Sequence, residues 1–402
     1  MKRFFRTKLF NLLLFIVTFA TTTLAGAEWI WGRPFWVMPY EKIADGLYYS
    51  IPFLLILTVH EFGHYIAAKL YKVKVTLPYY IPFYLPSMSI GTMGAVIRMK
   101  SALASRKQFF DIGIAGPLAG FVIAVFILIY GFTNLPPAEK VYEIHPEYEN
   151  YGRDYSKIVY SYDFQRAQDS TMHKQFGVDW EPQPEYPNVA LGSNLLFAFF
   201  ENYVVPEDQK DRIPNKYEMM HYPWLLAGYL ALFFTALNLL PIGQLDGGHI
   251  LYGLIGYKNN RIASAILFTL FVAYAGMGLV TPYNIYGNFY LLGVQETSAL
   301  FFVPFYIGFL TFLFTGVSKE LKNSLLLAVS VFTAQFLLAF IFPKAEGYVG
   351  WMVFAFLLSR VLGVYHPPAY IDRPLDLKRK VLGWISLVVF ILCFTPAPLV
   401  MK

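Results

Sequence analysis

The pentapeptide HEFGH at residues 60–64 places two imidazoles and a carboxylate in ILTVHEFGHYIAAKL (56–70), a stretch that is otherwise mostly apolar. Ionisable side chains are costly in hydrocarbon, so inside such a stretch they mark function. On a helix, residues four apart share a face, so His60 and His64 aim at one point with Glu61 beside them. This is the H-E-x-x-H arrangement: two zinc ligands, and a carboxylate able to take a proton from water held by the ion. Zinc lowers the pKa of such water to about 7. A glutamate that then passes the proton to a leaving amine completes peptide-bond hydrolysis. The bland reading is two structural histidines and a salt-bridged acid. The match at all three fixed positions favours the metal. Phe62 and Gly63 read as packing residues, with Gly63 leaving room for a neighbouring helix or a substrate.

A catalytic zinc takes three protein ligands and keeps one position open. The next acidic residue after Glu61 is Asp111, so the third ligand must come from a distant segment. The best candidate is Asp246 in TALNLLPIGQLDGGHILYGLIG (235–256), a lone acid flanked by Gly243, Gly247 and Gly248. Pro241 and the glycines interrupt a helix and let backbone approach a site. At membrane depth, irregular backbone survives only inside protein or around a watery cavity. A broken helix with one carboxylate therefore points at a site. His249, three residues on, either orients the aspartate, serves as an alternative ligand or meets the substrate; Asp246 is preferred as ligand.

The elements around these residues read as lipid-embedded. Of 402 residues, 56% are hydrophobic and 14% charged, against about 25% charged in soluble domains. Apolar runs at 46–70, 112–132, 223–240, 262–279, 298–316, 324–342, 349–364 and 381–396 approach or exceed the roughly 20 residues that cross a bilayer. Residues 1–45 hold a basic head and an apolar stretch, either a signal peptide or, preferred here, a first anchor. The expected fold is an all-α polytopic membrane protein with about nine transmembrane helices. A short β-hairpin or re-entrant segment follows the zinc helix, and one extracytoplasmic insert interrupts the bundle. The expected divisions are 1–45, a membrane core at 46–133, a Tyr-rich insert at 134–222, the broken helix at 223–261 and C-terminal helices at 262–402. Cys393 is the single cysteine, which excludes a disulfide within the chain.

Loop charge sets the expected orientation. Residues 69–107 carry seven basic and no acidic side chains, and the short loops 258–261, 318–323 and 372–380 are also basic. Alternation of nine runs puts all of them on one side, the cytoplasmic one by the positive-inside rule. The net charge of +6 therefore reports topology and not nucleic-acid binding. The insert, with 15 acidic and 8 basic residues, falls outside. It has the length of a PDZ-type module but shows no glycine-rich carboxylate-binding loop. Within it, residues 192–204 read as an interfacial helix. The stretch 75–99 carries Pro78, Pro82 and Pro86 and then SIGTMGAVI, which suits a short strand or hairpin; either its edge takes a substrate strand or it is an ordinary cytoplasmic connection with a hydrophobic surface. Gly116 and Gly120 form a GxxxG packing pair. His145, His173, His221 and His366 read as surface, loop or interface residues, with His221 at the outer membrane boundary.

The two motifs in this order resemble the site-2 protease family of intramembrane zinc metalloproteases. HEFGH (60–64) and NLLPIGQLDGGH (238–249) carry the resemblance, GTMGAVIRM (91–99) and FDIGIAGPLAG (110–120) fit the intervening region, and about 46–132 and 217–257 are covered. It implies His60, His64 and Asp246 as zinc ligands, Glu61 as general base and Asn238 as a polar group near the scissile carbonyl. The aspartate motif is Leu-Asp-Gly where many members have Asn-Pro-Asp-Gly, and the many C-terminal spans resemble the bacterial and plastid multi-span branch. The expected activity is hydrolysis of membrane-anchored protein substrates near the cytoplasmic face. The alternatives are a transporter, for which no inverted repeat is visible, and a catalytically silent zinc scaffold. No plastid transit sequence is recognised, so the expected setting is a bacterial inner membrane.

Overall fold

The computed structural model describes residues 2–161, 164, 189–282, 289–291, 294–296 and 299–401; His173 lies outside them. The chain is mostly helical. The long elements are α1 (Lys2–Trp31), α2 (Leu47–Leu70), α3 (Arg106–Thr133), α4 (Pro223–Leu239), α5 (Asp246–Ala275), α6 (Ala299–Phe314), α7 (Leu321–Ile341), α8 (Gly350–Leu357) and α9 (Leu377–Cys393). Among the described residues, four helical stretches are long and apolar enough to cross a membrane: Lys8–Trp31, Tyr40–Leu70, Arg106–Thr133 and Leu321–Ile341. Several others are apolar but only 10–17 residues long.

Two apolar cores organise the bundle. In the first, α2, α3 and α4 interlock through Phe53, Phe110, Leu128, Leu225 and Leu232. In the second, α5 to α8 pack around Phe268, Phe314 and Trp351. Ser105 starts α3 with a capping box, its side chain accepting from the Gln108 backbone N–H while Gln108 reaches back. The run 223–257 is not one helix. It stops at Leu239 and restarts at Asp246, and Gly243 bridges the gap at φ +63°, where a side chain would be strained and would meet the Gly363 carbonyl.

The basic tetrapeptide KNNR at 258–261, expected as a loop, lies inside α5 instead. Gly256, at φ +77°, turns the chain sharply between two helical pieces, so no separate connection is needed.

Strands β1 (Tyr79–Pro82) and β2 (Thr92–Val96) form an antiparallel pair with Tyr80 opposite Ala95. Their connection lies against α1. Asn11 Nδ2 donates to the Pro78 carbonyl at 2.7 Å, Thr21 Oγ1 to Gly91 at 2.7 Å and Trp29 Nε1 to Ser89 at 2.9 Å. Asn11 and Trp29 are about 27 Å apart along a helix, so the segment follows more than half of α1. Buried Glu28 accepts from Phe35 N, Tyr84 Oη and Ser87 N at 2.6–2.9 Å. An apolar helix thus supplies the hydrogen bonds that irregular backbone needs away from water.

At the far end of α2, Arg379 of α9 grips Asp111 of α3 with both arms, at 2.7 and 2.9 Å, and Tyr71 Oη also donates to Asp111. Asp111 is thereby committed to joining three helices. Arg379→Lys keeps the charge but cannot span both oxygens. It should lower stability by about 1–2 kcal/mol, read as a drop in melting temperature of the purified chain. An unchanged melt would show that the fork does not hold these helices together.

Candidate metal centre

His60 and His64 lie one turn apart on α2, both buried. Their Nε2 atoms are 3.1 Å apart. Asp246, in the first turn of α5, brings Oδ2 to 3.2 Å from His64 Nε2 and 3.7 Å from His60 Nε2. A carboxylate there also lies at the positive end of its helix dipole. Three donor atoms thus form a triangle with edges of 3.1–3.7 Å. Tetrahedral zinc, with ligand bonds near 2.0–2.2 Å, requires donor separations of about 3.3–3.6 Å. The triangle matches that ion to within a few tenths of an ångström on each edge. The fit extends outward: the Ile112 carbonyl accepts from His64 Nδ1 at 2.7 Å, leaving Nε2 as the lone-pair nitrogen that a metal needs.

The helix facing α2 is shaped to the imidazoles. A Cβ on Gly116 would overlap the His64 ring, and one on Gly120 would sit 3.1 Å from His60 Cβ. A Cβ on Gly113 would sit 2.7 Å from that of His249. Gly63 lets the Ala115 carbonyl approach to within 2.5 Å of where its own Cβ would lie. The GxxxG pair therefore packs on the ligand rings themselves. Gly113 extends the same stripe and was not picked out in the sequence, where it is one more small residue in an apolar run.

The triad lines a cavity of about 590 Å³ with Glu61, Asn238, His249 and residues 93–97 of and just after β2. Glu61 is buried, 6% exposed. Asn238, in the last turn of α4, has Nδ2 3.5 Å from His60 Nε2. Met93 and Val96 are exposed while Ala95 is buried, and β2 has β1 as its one described strand partner.

His221 and His366, read as surface, loop or interface residues, are both buried. His249 Nδ1 is 2.7 Å from His366 Nε2, and His366 is 3% exposed, stacked on Tyr252 with centroids 4.1 Å apart. The loop holding His366 is tied to α3 by the Arg106 N–H to the Ile371 carbonyl and by Arg106 to Asp372. His366 is 117 residues from His249, and no local pattern signals their contact. His221 is buried too, bonded to backbone carbonyls of α1.

A helical bundle whose H-E-x-x-H helix meets an aspartate from a broken helix defines a candidate metallopeptidase centre of apolar surroundings. The chain matches the model of peptidase family M50 over residues 48–281, more than half its length and including all three donors, and belongs to that family. It is 29% identical over 227 residues to "Probable zinc metalloprotease EGY1, chloroplastic" of Oryza sativa subsp. japonica, covering 55% of this chain and 30% of that one. The Arabidopsis thaliana protein of the same name is 26% identical over 257 residues, 62% and 36% of the two chains. "Probable zinc metalloprotease EGY2, chloroplastic" of Arabidopsis thaliana is 25% identical over 232 residues, 57% and 33%. The matched part is about a third of the length of these curated relatives. No solved structure matches the chain.

Gly116→Val places branched carbons in the space of the His64 ring. It should strip this centre of zinc while helicity by circular dichroism stays near native. Gly120→Ala, with a milder contact, should keep more of the metal. A folded Gly116→Val chain with full zinc content would show that the stripe does not position the ligand.

Proposed function

We propose that the chain is an intramembrane zinc endopeptidase that hydrolyses peptide bonds of membrane-anchored proteins. The observation that carries the reading is the donor triangle of His60, His64 and Asp246, sized for zinc, with Glu61 buried in the same cavity. Membership of a peptidase family and relatives named zinc metalloproteases support it. Zinc, when bound, supplies Lewis-acid chemistry that polarises a peptide carbonyl and brings hydroxide within reach near neutral pH.

In this mechanism the chain's own residues bind, orient and move protons. Glu61 takes the proton of the attacking water and returns it to the leaving amine nitrogen. The Asn238 amide donates to the scissile carbonyl as charge builds on its oxygen. The free edge of β2 takes the substrate as an added strand, satisfying backbone that has left its helix. Apolar walls from α2 and α4 keep bulk water away.

The basic stretches 69–107, 318–323 and 372–380 support a centre near the cytoplasmic face. His64 lies seven residues, about 10 Å, from the end of its helix at Tyr71. The proposed setting is a bacterial cytoplasmic membrane. The chloroplast location in the relatives' names makes a plastid membrane the alternative.

Glu61→Gln keeps the shape and removes the base. In the purified chain it should retain zinc at this centre and lose cleavage of a membrane-peptide substrate by at least ~100-fold. Asn238→Ala should lower turnover more than it weakens substrate binding. Undiminished cleavage by Glu61→Gln would refute the assignment, and zinc binding without cleavage in the native chain would favour a silent scaffold.

A further inference from the structure

A second constellation lies at the opposite end of α4, outside the apolar spans. His145, Glu218 and His221 bring one donor atom each within 4.8 Å of one another. Glu218 is 1% exposed. Its Oε1 accepts from Tyr160 Oη, but among the described residues its Oε2 has no hydrogen-bond partner. A buried carboxylate oxygen left unsatisfied is expensive and calls for a cation or a donor. What faces it are two imidazole nitrogens, His221 Nε2 at 3.4 Å and His145 Nε2 at 3.9 Å.

Both rings are oriented from behind. His221 Nδ1 lies 2.8 Å from the Trp29 carbonyl and 2.9 Å from that of Ile30, at the end of α1. A ring nitrogen facing carbonyl oxygens must carry the proton, so His221 Nε2 keeps its lone pair. His145 Nδ1 is 3.4 Å from Glu147 Oε1, a carboxylate behind an imidazole, and Tyr148 stacks on the ring at 4.5 Å. Backing a ligand imidazole with an acceptor on its far nitrogen is how proteins orient metal-binding histidines. The candidate metal centre uses the same device at His64.

We infer that His145, Glu218 and His221 form a second divalent-metal site that takes zinc and clamps the polar insert onto the ends of α1 and α4. Two imidazoles and one carboxylate suit zinc better than calcium or magnesium, which prefer all-oxygen shells. Donor separations of 3.4 and 3.9 Å, with all three donors within 4.8 Å of one another, close onto bonds near 2.0–2.2 Å once the side chains draw together around the ion. The ion answers the unpartnered oxygen of Glu218. Its role is structural: α4 alone puts about 25 Å between this site and Asn238. The inference stands whether or not the first centre hydrolyses peptides.

The test counts ions in the full chain. After equilibration with buffered zinc, the native chain should hold two per molecule and a His60→Ala/His64→Ala variant one. Adding Glu218→Gln to that variant should remove the remaining ion, and His145→Ala should do the same. Cobalt(II) in the double variant should give a visible band that Glu218→Gln abolishes. If the double variant is poorly folded, Glu218→Gln in the otherwise native chain should lower the count from two to one. A folded double variant without zinc, or zinc and the cobalt band surviving Glu218→Gln, would overturn the site.

Discussion

The structure turns on closing a small triangle across a large gap in sequence. Two imidazoles one helical turn apart are a local matter, but the third donor must arrive from another helix with sub-ångström tolerance. Asp246 manages this because it opens a helix instead of lying within one. The break between Leu239 and Asp246 lets α5 start at the depth of the histidines, where a carboxylate also gains from the helix dipole. A continuous helix through 223–257 would have spent these residues on regular backbone.

Such closeness demands missing side chains as much as present ones. Gly113, Gly116 and Gly120 place bare backbone against His249, His64 and His60, and Gly63 answers from the opposite helix. Around this thin interface the packing is bulky and apolar, with Phe53, Phe110 and Leu232 joining α2, α3 and α4. The ligand rings are thus held between the glycine stripe on one side and the cavity on the other. Polar fasteners sit at the ends, with Arg379 on Asp111 at one and His221 on the α1 carbonyls at the other.

What could be read in advance follows from the range of each interaction. The pairing of His60 with His64 is an i, i+4 relation, written wherever the helix is written. Asp246 stands out because a lone acid among glycines in an apolar run has few other uses. The polar contact of His366 with His249 and that of His145 with Glu218 join residues 117 and 73 apart, and no periodicity encodes either. The helical state of residues 258–261 was hidden for a different reason. A basic tetrapeptide between apolar runs has the composition of a loop, and one left-handed glycine at 256 decides otherwise. The path of the β1–β2 connection along α1 rests on Asn11, Thr21 and Trp29, scattered side chains whose shared purpose shows only in three dimensions.

The gap in sequence between the donors also sets an order of events during synthesis. The histidine helix leaves the ribosome nearly two hundred residues before Asp246 does, a delay of roughly 10–40 s at 5–20 residues per second. In that interval the two imidazoles have no carboxylate to complete their grip, and the intervening insert is still emerging. The donor set is therefore incomplete until the second half of the chain has been made.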